Sequence, residues 1–346
     1  MPAEGVLMHT RPVSTREGLA VLFTALVALT TSCVQKSDAQ LVIYAYDSFA
    51  SEWGPAPIVI PAFEKATGIK VELIVPGDAG QVLARAIDEK KAPVADLLIG
   101  IDGNLLPKAL AAGVLSAYKP KNSEAVQAHL VLDTEWRITP YDWSSFAIIW
   151  DSEKLSSPPA SLEDLTKPEY ARKLILMDPR TSTPGLGFVA WTAAAYGDGL
   201  ADYWKRLKPS ILTMSPGWDT GYGLFTSGEA PLVISYTTSA AYHAEYETAG
   251  RYRALEFPAG HPVQIEGAGI VAKARHRKAA EAFIDFMLTR EFQEALPLTN
   301  WMYPVLPGIE LPASYSAAPE PERMLPASGS GLDAAVKVAL DALQAP

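Results

Sequence analysis

The sequence predicts an α/β fold of two lobes, which are joined by hinge strands and separated by a ligand cleft. Strand and helix patterns alternate along the first part of the chain, and this alternation predicts parallel strands with helices on both faces. An aromatic, β-type stretch at residues 135–150 leaves this part, and a strand and a helix at residues 264–289 lead back to it. Two crossings between two α/β units are typical of a hinged protein that closes around a ligand.

The composition supports two domains and excludes several classes of protein. The 346 residues are 49% hydrophobic, which is enough to bury a core and excludes a disordered chain. Acidic residues outnumber basic ones by 39 to 29, so the net charge is −10 and a nucleic-acid partner is not expected. Five histidines and one cysteine leave little for a metal site or a disulfide framework, and we expect no cofactor.

The N-terminus has the pattern of an export signal. Arg11 and Arg16 precede an uncharged apolar run at residues 19–29. At about 11 residues this run is too short to span a bilayer, where roughly 20 are needed. We therefore predict a signal peptide over residues 1–32, which places the mature chain outside the cytoplasm.

The single cysteine of the sequence, Cys33, follows shortly after this run. A small residue followed by cysteine at such a position resembles a bacterial lipobox, in which the cysteine is lipidated and becomes the mature N-terminus. The alternative is ordinary cleavage near Ala39, which would release a soluble protein. In either case the mature chain lies outside the cytoplasm, and residues 33–40 are predicted to be a polar tether.

The first lobe is assigned to residues 41–140 and 265–346. Its strands are predicted at residues 41–46, 70–75 and 95–99, and its helices at residues 57–67, 80–91 and 104–112. Ligands of open α/β sheets bind beyond the carboxyl ends of the strands, so polar residues that follow strands predict a binding edge. These residues are Tyr46-Asp47-Ser48, Pro76-Gly77-Asp78 and Asp102-Gly103-Asn104.

The second lobe is assigned to residues 141–264. Its strands are predicted at residues 171–177, 210–214 and 231–236, with a helix at residues 184–196. The chain then returns to the first lobe. There we predict a strand at residues 264–272, a helix at 278–289, a surface segment rich in Pro and Ser at 313–331, and a terminal helix at 333–343.

One loop of the second lobe is a candidate site for an anion or a hydroxyl. Thr183 is placed to cap the following helix, with Pro184 at its first position. A helix N-terminus offers N–H groups to such a ligand, and Arg180 and Ser182 directly precede it. The alternative is plain helix capping, with Arg180 on the surface.

Aromatic residues mark three further loops. Core aromatics usually lie inside periodic runs, whereas these follow strands or lie on loops punctuated by Gly and Pro. For a single aromatic residue, a place in the core is an equal alternative, but three loops from separate parts of the chain favour a shared pocket. The candidates are Trp218 and Tyr222; Tyr236, Ser239 and Tyr242; and Asn300 and Trp301.

An aromatic cleft on an acidic protein suits a planar, cationic ligand, because the face of an aromatic ring attracts a cation. Asp47 or Asp102 could supply the countercharge; the alternative for each is a turn or helix cap. An enzyme is not predicted, since nothing near His243 resembles a nucleophile elbow and the sequence has no ATPase-type phosphate-binding loop. We interpret Trp53-Gly54-Pro55 as a structural turn.

Five motifs, in order, resemble those of the thiamine-binding periplasmic proteins, the substrate-binding components of bacterial thiamine ABC transporters. The resemblance covers about residues 41–310. The matching segments are residues 46–49 with 53–55, residues 178–187, residues 217–218 with 222–225, residues 235–239 with 241–243, and residues 300–305.

The resemblance implies a type II periplasmic binding fold that captures thiamine and its mono- and diphosphate esters. A membrane permease driven by a separate ATPase would receive the ligand, and a monomer is expected. By motif, the resemblance implies ligand contacts at Tyr46, Ser182, Trp218, Tyr236, Tyr242 and Trp301. Strand-end position adds Asp47, Asp102, Asn104 and Asn300, and the loop from Arg180 to Thr183 would meet any phosphate.

Three alternatives stay open at this point. One is a protein of the same fold that binds another small cation, such as a polyamine, or an anion. Another is a secreted enzyme that acts on thiamine-like compounds, although the sequence offers no cysteine nucleophile outside the leader. The third is a lipid-anchored surface adhesin, which would have no saturable site for a small molecule.

Overall fold

The computed structural model describes residues 41–246, 250–326 and 332–345. The predicted signal peptide, the tether and the lipidation site at Cys33 lie outside these residues. Within the described ranges, no helix is long and apolar enough to cross a membrane.

Strands and helices alternate along much of the chain, as the sequence predicts. The strands are β1 (Leu41–Tyr46), β2 (Val71–Gly77), β3 (Leu97–Asp102), β4 (Leu115–Ser116), β5 (Thr139–Asp151), β6 (Leu174–Met177), β7 (Ile211–Ser215), β8 (Leu232–Tyr236), β9 (Tyr252–Ala254), β10 (His261–Val271), β11 (Tyr303–Pro304) and β12 (Met324–Leu325). The helices are α1 (Asp47–Ala50), α2 (Ala56–Thr67), α3 (Ala79–Asp88), α4 (Leu106–Ala112), α5 (Thr183–Tyr196), α6 (Leu200–Leu207), α7 (Trp218–Thr226), α8 (Ser239–Tyr246), α9 (Arg277–Met287), α10 (Arg290–Thr299) and α11 (Leu332–Gln344).

Local sequence signals set several of these boundaries. Helix α2 ends at Gly68, whose φ of 73° is the left-handed conformation that glycine adopts without strain. Helix α3 begins with a capping box, in which the Asp78 side chain and the Gln81 side chain each accept a backbone N–H of the first turn. Both signals are short-range, which is why the sequence places these helices to within a few residues.

The sheet is mixed rather than wholly parallel. Its strand order is β2-β1-β3-β10-β5-β8-β6-β7. The predicted parallel pairing holds within each half, between β1 and its neighbours β2 and β3 and between β6 and its neighbours β7 and β8. The long strands β5 and β10 pair antiparallel with each other and with β8 and β3, and they connect the two halves.

Two clusters of buried hydrophobic side chains lie on the two sides of these hinge strands. The first cluster is centred on Ile43, Phe63, Leu98 and Phe283. Burial of each large apolar side chain contributes roughly 1.5–3 kcal/mol of stability, so each half is stabilised by its own hydrophobic core. The second cluster is centred on Phe146, Met177, Trp204 and Phe225.

Two segments near the C-terminus pack differently from what we expected. The segment at residues 313–331 is not purely a surface segment, because Tyr315 is buried and its hydroxyl donates to the carbonyls of Pro297 and Met302. Helix α11 packs against α5 and α6, and its residues Ala339 and Ala342 belong to the second cluster. The predicted domain boundaries assign α11 to the first lobe, and this assignment stays a prediction.

Candidate functional site

A cleft of about 560 Å³ lies between the two clusters. Its lining comes from widely separated parts of the chain, as a pocket between two lobes requires. Many of the residues selected from the sequence line it: Tyr46, Thr183, Trp218, Tyr222, Tyr236, Ser239, Tyr242, Asn300 and Trp301.

Asp102 and Asn104 do not line the cleft. Both are buried, and Asp102 accepts the backbone N–H groups of Asn104 and Leu105 at 3.1 and 2.8 Å. The Asp102 carboxylate therefore caps the turn between β3 and α4, which is the alternative that the sequence left open.

Most of the loop before α5 lies outside the cleft lining. Arg180 is exposed, and its guanidinium donates to the carboxylate of Asp178, with Nε 2.9 Å from Oδ1. The residue at the N-terminal cap of α5 is Ser182, one residue earlier than we predicted, and its side chain makes no capping hydrogen bond; Ser182 is buried and is not part of the cleft lining. Of the loop residues Arg180, Ser182 and Thr183, only Thr183 lines the cleft.

One wall of the cleft is a stack of rings at the start of α7. The indole of Trp218 stacks on the ring of Tyr222, with centroids 4.8 Å apart and planes at 17°. Its Nε1 donates to Ser235 Oγ at 2.8 Å, and the ring of Trp53 lies 6.0 Å away. The indole is therefore held in place by a hydrogen bond and by aromatic packing before any ligand arrives.

Trp301 is part of a second group of rings that faces the cleft. It follows α10 with a φ of 54°, and its N–H donates to the carbonyl of Leu296. Its indole is edge-on to Tyr242 at 5.4 Å and stacked on Tyr315 at 6.2 Å. A left-handed backbone is unfavourable for tryptophan, so packing must hold the indole at this point.

A buried carboxylate, Glu266, forms part of the cleft floor. It accepts hydrogen bonds from the hydroxyls of Tyr46 and Tyr141 at 2.8 and 2.7 Å. Its other oxygen accepts the Gln264 amide at 2.8 Å. Burial raises the pKa of Glu266, while these donors stabilise its ionised form and oppose the shift.

Asp142 lies beside Glu266 and shares its surroundings. The Asn300 amide donates to Asp142 and to the Tyr46 hydroxyl, which links the two carboxyl groups through side chains. Burial, together with the charge of Glu266, raises the pKa of Asp142 well above its usual range. Glu266 accepts more hydrogen bonds than Asp142, so its surroundings stabilise the ionised carboxylate better than those of Asp142 do.

A second acidic group lies where α3 meets α7. Asp78 Oδ2 accepts the backbone N–H of Trp218 at 3.2 Å and so joins the two sides of the cleft. The Asp47 carboxylate lies beside the lining, 3.4 Å from the position that a Cβ would take at Gly217. Asp219 lines the cleft, and burial and the charge of Asp47 raise its pKa.

Among the described residues, the charged side chains that line the cleft are all acidic. Within the described part of the chain, its lining contains Asp78, Asp219 and Glu266 and no lysine or arginine. Aromatic ring faces and carboxylates both stabilise a cation, whereas the same surroundings disfavour an anion. The arrangement can therefore hold a planar, positively charged molecule.

Several residues of the cleft lining are not among the predicted site residues, and three of them bear most on its chemistry: Trp53, Asp78 and Glu266. Trp53 belongs to the turn that we predicted. The backbone is packed closely there, because a Cβ at Gly54 would lie 2.1 Å from the Ser48 carbonyl oxygen. The ring of Trp53 also faces the cleft. Asp78 follows β2 and is one of the strand-end residues named in the sequence, but it is not among the predicted ligand contacts. Glu266 is an acidic residue inside an apolar strand, and this pattern is a usable signal for a buried charge.

Asp78 leads to a prediction on the pH dependence of stability. Burial raises the pKa of its carboxyl from 3.8 to about 7. Between these values the folded protein binds a proton that the unfolded chain does not, so the free energy of unfolding falls as pH rises. We expect Asp78→Asn to flatten this slope by about 1.4 kcal/mol per pH unit, measured by urea unfolding across that range.

A matched control is Asp202→Asn, which removes an exposed carboxylate and should leave the slope unchanged. Equal slopes for the wild-type protein and Asp78→Asn would show that Asp78 ionises normally in the folded state.

Similar proteins share this fold and sequence over most of their length. The chain is 42% identical over 288 residues to a thiamine-binding periplasmic protein of Brucella melitensis, covering 83% of this chain and 85% of that protein. It is 38% identical over 288 residues to the thiamine-binding periplasmic protein of Escherichia coli, covering 82% and 86% of the two chains. A solved structure of a periplasmic thiamin binding protein matches with a TM-score of 0.81 at 36% identity, covering 88% of this chain and 96% of that one.

The two α/β halves and the cleft between them define a solute-binding protein of the type II periplasmic class. The family model for bacterial extracellular solute-binding proteins matches residues 92–327. The chain belongs to the family of thiamine-binding periplasmic proteins. It is thus an exported solute-binding protein of the periplasm and not an enzyme.

Proposed function

We propose that this protein captures thiamine in the cleft between its two halves and delivers it to the permease of an ABC transporter. The observation that carries the proposal is the cleft itself, in which aromatic rings and carboxylates meet without a lysine or arginine in the described lining. Thiamine has a planar pyrimidine and a thiazolium with a permanent positive charge, and both parts suit these surroundings. The identity to thiamine-binding relatives supports the same choice of ligand.

In this proposal the rings and the carboxylates have different roles. Trp218 and Trp301 present ring faces and edges from the two ring groups, and Tyr236, stacked on Phe146 at 5.4 Å, adds another. Glu266 supplies the negative charge that offsets the thiazolium. The candidates Ser239 and Asn300 supply polar contacts, and Asp47 acts from beside the lining.

Binding is coupled to closure of the two halves about β5 and β10. A ligand that contacts both halves binds the closed form more tightly than the open form. This difference in affinity shifts the equilibrium toward the closed form. We propose that the permease, with its separate ATPase subunit, receives the protein in this closed form. The protein would act as a monomer, free or held through a lipid on Cys33.

Thiamine phosphates are part of the proposal and require a further step. Their negative charge would meet Thr183 on the lining, whereas Arg180 is paired with Asp178 at the surface. Arg180 would have to leave this pair before it could contact a phosphate. Competition between thiamine and its mono- and diphosphate esters, measured by calorimetry, gives the order of preference.

Calorimetry with thiamine, spermidine and inorganic phosphate tests the choice of ligand. We expect saturable binding of thiamine at one site and no displacement by the other two at comparable concentration. Native mass spectrometry of the purified protein should show a retained mass equal to thiamine or one of its phosphates. Tight binding of spermidine or phosphate, with none of thiamine, would contradict the proposal.

Closure itself gives a prediction at Gly80. The Gly80 N–H donates to the carbonyl of Thr181 across the cleft at 3.0 Å, and a Cβ at this position would lie 2.6 Å from the same oxygen. Gly80→Ala should push the two sides apart, and we expect thiamine affinity to fall about tenfold, since overpacking costs about 1–3 kcal/mol. Calorimetry measures the loss.

The matched control is Gly199→Ala, where the nearest atom would be 4.0 Å away and affinity should not change. The unfolding midpoint of Gly80→Ala should stay close to that of the wild-type protein, because the contact is needed for closure rather than for folding. Undiminished affinity in Gly80→Ala would mean that this contact is absent from the bound form.

A further inference from the structure

A group of basic side chains lies at the start of α9, far from the cleft along the chain. Lys273, Arg275, Arg277 and Lys278 are all exposed, and we call them the basic patch. All four lie within six consecutive positions of a chain whose net charge is −10, so they form a local exception to its acidic surface.

Nearby carboxylates neutralise this patch only in part. Arg277 pairs with Glu281 at 2.8 Å, and the neighbouring His276 ring contacts Asp96 at 2.9 Å. The other members of the patch form no ion pair with any residue that the structure describes. Several positive charges therefore face solvent without compensation.

The patch also borders a shallow open concavity. Ile69 and Ala279 form its apolar part, and the side chains at residues 275–278 form the rest. His276 is the residue at the N-terminal cap of α9, an 11-residue helix whose first N–H groups point toward this end. The helix dipole adds to the positive potential of the side chains.

The patch lies beside the point where the chain enters the fold. The Leu41 N–H donates to the Lys70 carbonyl, and the Val42 N–H donates to Asp96 Oδ2 at 2.9 Å. Asp96 Oδ1 accepts the N–H of His276 at 2.8 Å, so one carboxylate holds the first strand and the start of α9 together. The other end of β1 is Tyr46 in the cleft, roughly 15 Å further along the strand.

We propose that the basic patch docks the protein on an anionic phospholipid surface. Lysine and arginine side chains near such a surface each strengthen binding about fivefold at moderate salt, so a few uncompensated charges give weak, reversible attachment. In this orientation the cleft lies at the opposite end of β1 from the membrane and stays open to solvent for loading. The inference does not depend on the identity of the ligand in the cleft.

Vesicle co-sedimentation tests this proposal. The exported protein, with Cys33→Ser so that no acyl chain contributes, is mixed with vesicles of phosphatidylcholine alone or of phosphatidylcholine with phosphatidylglycerol. We expect binding only to the anionic vesicles and release at high salt. The triple variant Lys273→Gln, Arg275→Gln, Lys278→Gln should lower the partition coefficient about a hundredfold.

The control variant removes the same number of charges from elsewhere on the surface: Lys167→Gln, Lys205→Gln and Lys337→Gln, all at exposed positions. It should bind anionic vesicles as the wild-type protein does, and both triple variants should retain the wild-type unfolding midpoint. Failure of the wild-type protein to bind anionic vesicles, or an equal loss in both triple variants, would overturn the proposal.

Discussion

Replacing Glu266 by glutamine should weaken thiamine binding about thirtyfold, which corresponds to about 2 kcal/mol for the loss of a charged partner. Glutamine keeps the size of the side chain and can still accept from the hydroxyls of Tyr46 and Tyr141, but its NH2 group replaces the oxygen that accepts the Gln264 amide, so the change removes the charge and one hydrogen bond. The loss arises because the thiazolium would then face a neutral floor in surroundings where water offers little screening.

Two comparisons isolate the charge effect of Glu266. An uncharged analogue, in which a neutral ring replaces the thiazolium, should bind the variant and the wild-type protein with similar affinity in calorimetry. Glu153→Gln, at a side chain that is 68% exposed, should not alter thiamine binding. An equal loss for the charged and the uncharged ligand would mean that Glu266 shapes the cleft rather than offsetting a charge.

Acid should act in the same direction as this substitution. Burial raises the pKa of Glu266, so the carboxylate takes up a proton at higher pH than an exposed glutamate would. Affinity for thiamine is therefore expected to fall as pH falls through that raised value, and Glu266→Gln should show less of this fall.

Trp218→Ala is expected to cost about 2 kcal/mol of binding, again about thirtyfold, because it removes a preorganised ring face from the cleft. The substitution keeps the backbone N–H that Asp78 accepts, so the contact across the cleft survives while the indole is lost. Trp218→Phe should recover part of the affinity, since a smaller ring face is restored.

Trp150→Ala is the matched control for Trp218→Ala. Trp150 is a half-buried tryptophan in β5 that packs against the second cluster and does not line the cleft. It should lower the unfolding midpoint and leave thiamine affinity near the wild-type value. If calorimetry gave Trp218→Ala wild-type affinity, stacking at α7 would have no part in binding.

The positions of the strand ends could be predicted from the sequence because their signals are local. Tyr46 ends a short β-rich run and Gly68 ends a periodic helix, and both can be recognised within a few residues. The residues of the ring groups were also found, since Trp218 and Trp301 are aromatic at positions outside periodic runs. The helices α7 and α8 were not predicted; α7 contains two glycines and three aromatic residues, which have weak helix propensity.

A local pattern can mark Glu266 as a buried charge, but its place in an acidic row could not be predicted, because the row depends on pairing between strands that are far apart in the chain. Glu266 in β10 lies opposite Asp142 in β5 on one side and opposite Asp102 in β3 on the other. This antiparallel register brings three acidic residues into one row, and no local pattern encodes it. The sequence therefore offered Asp102 as a countercharge, whereas the structure gives Asp102 a capping role and places Glu266 at the cleft.

A crystal structure of the protein with bound thiamine tests the central claim most directly. We expect the ligand between the first and the second cluster, with its thiazolium within about 6 Å of an aromatic ring centroid and facing a carboxylate of the cleft. Thiamine bound outside this cleft, or inside it with the thiazolium turned away from both the rings and Glu266, would contradict the account.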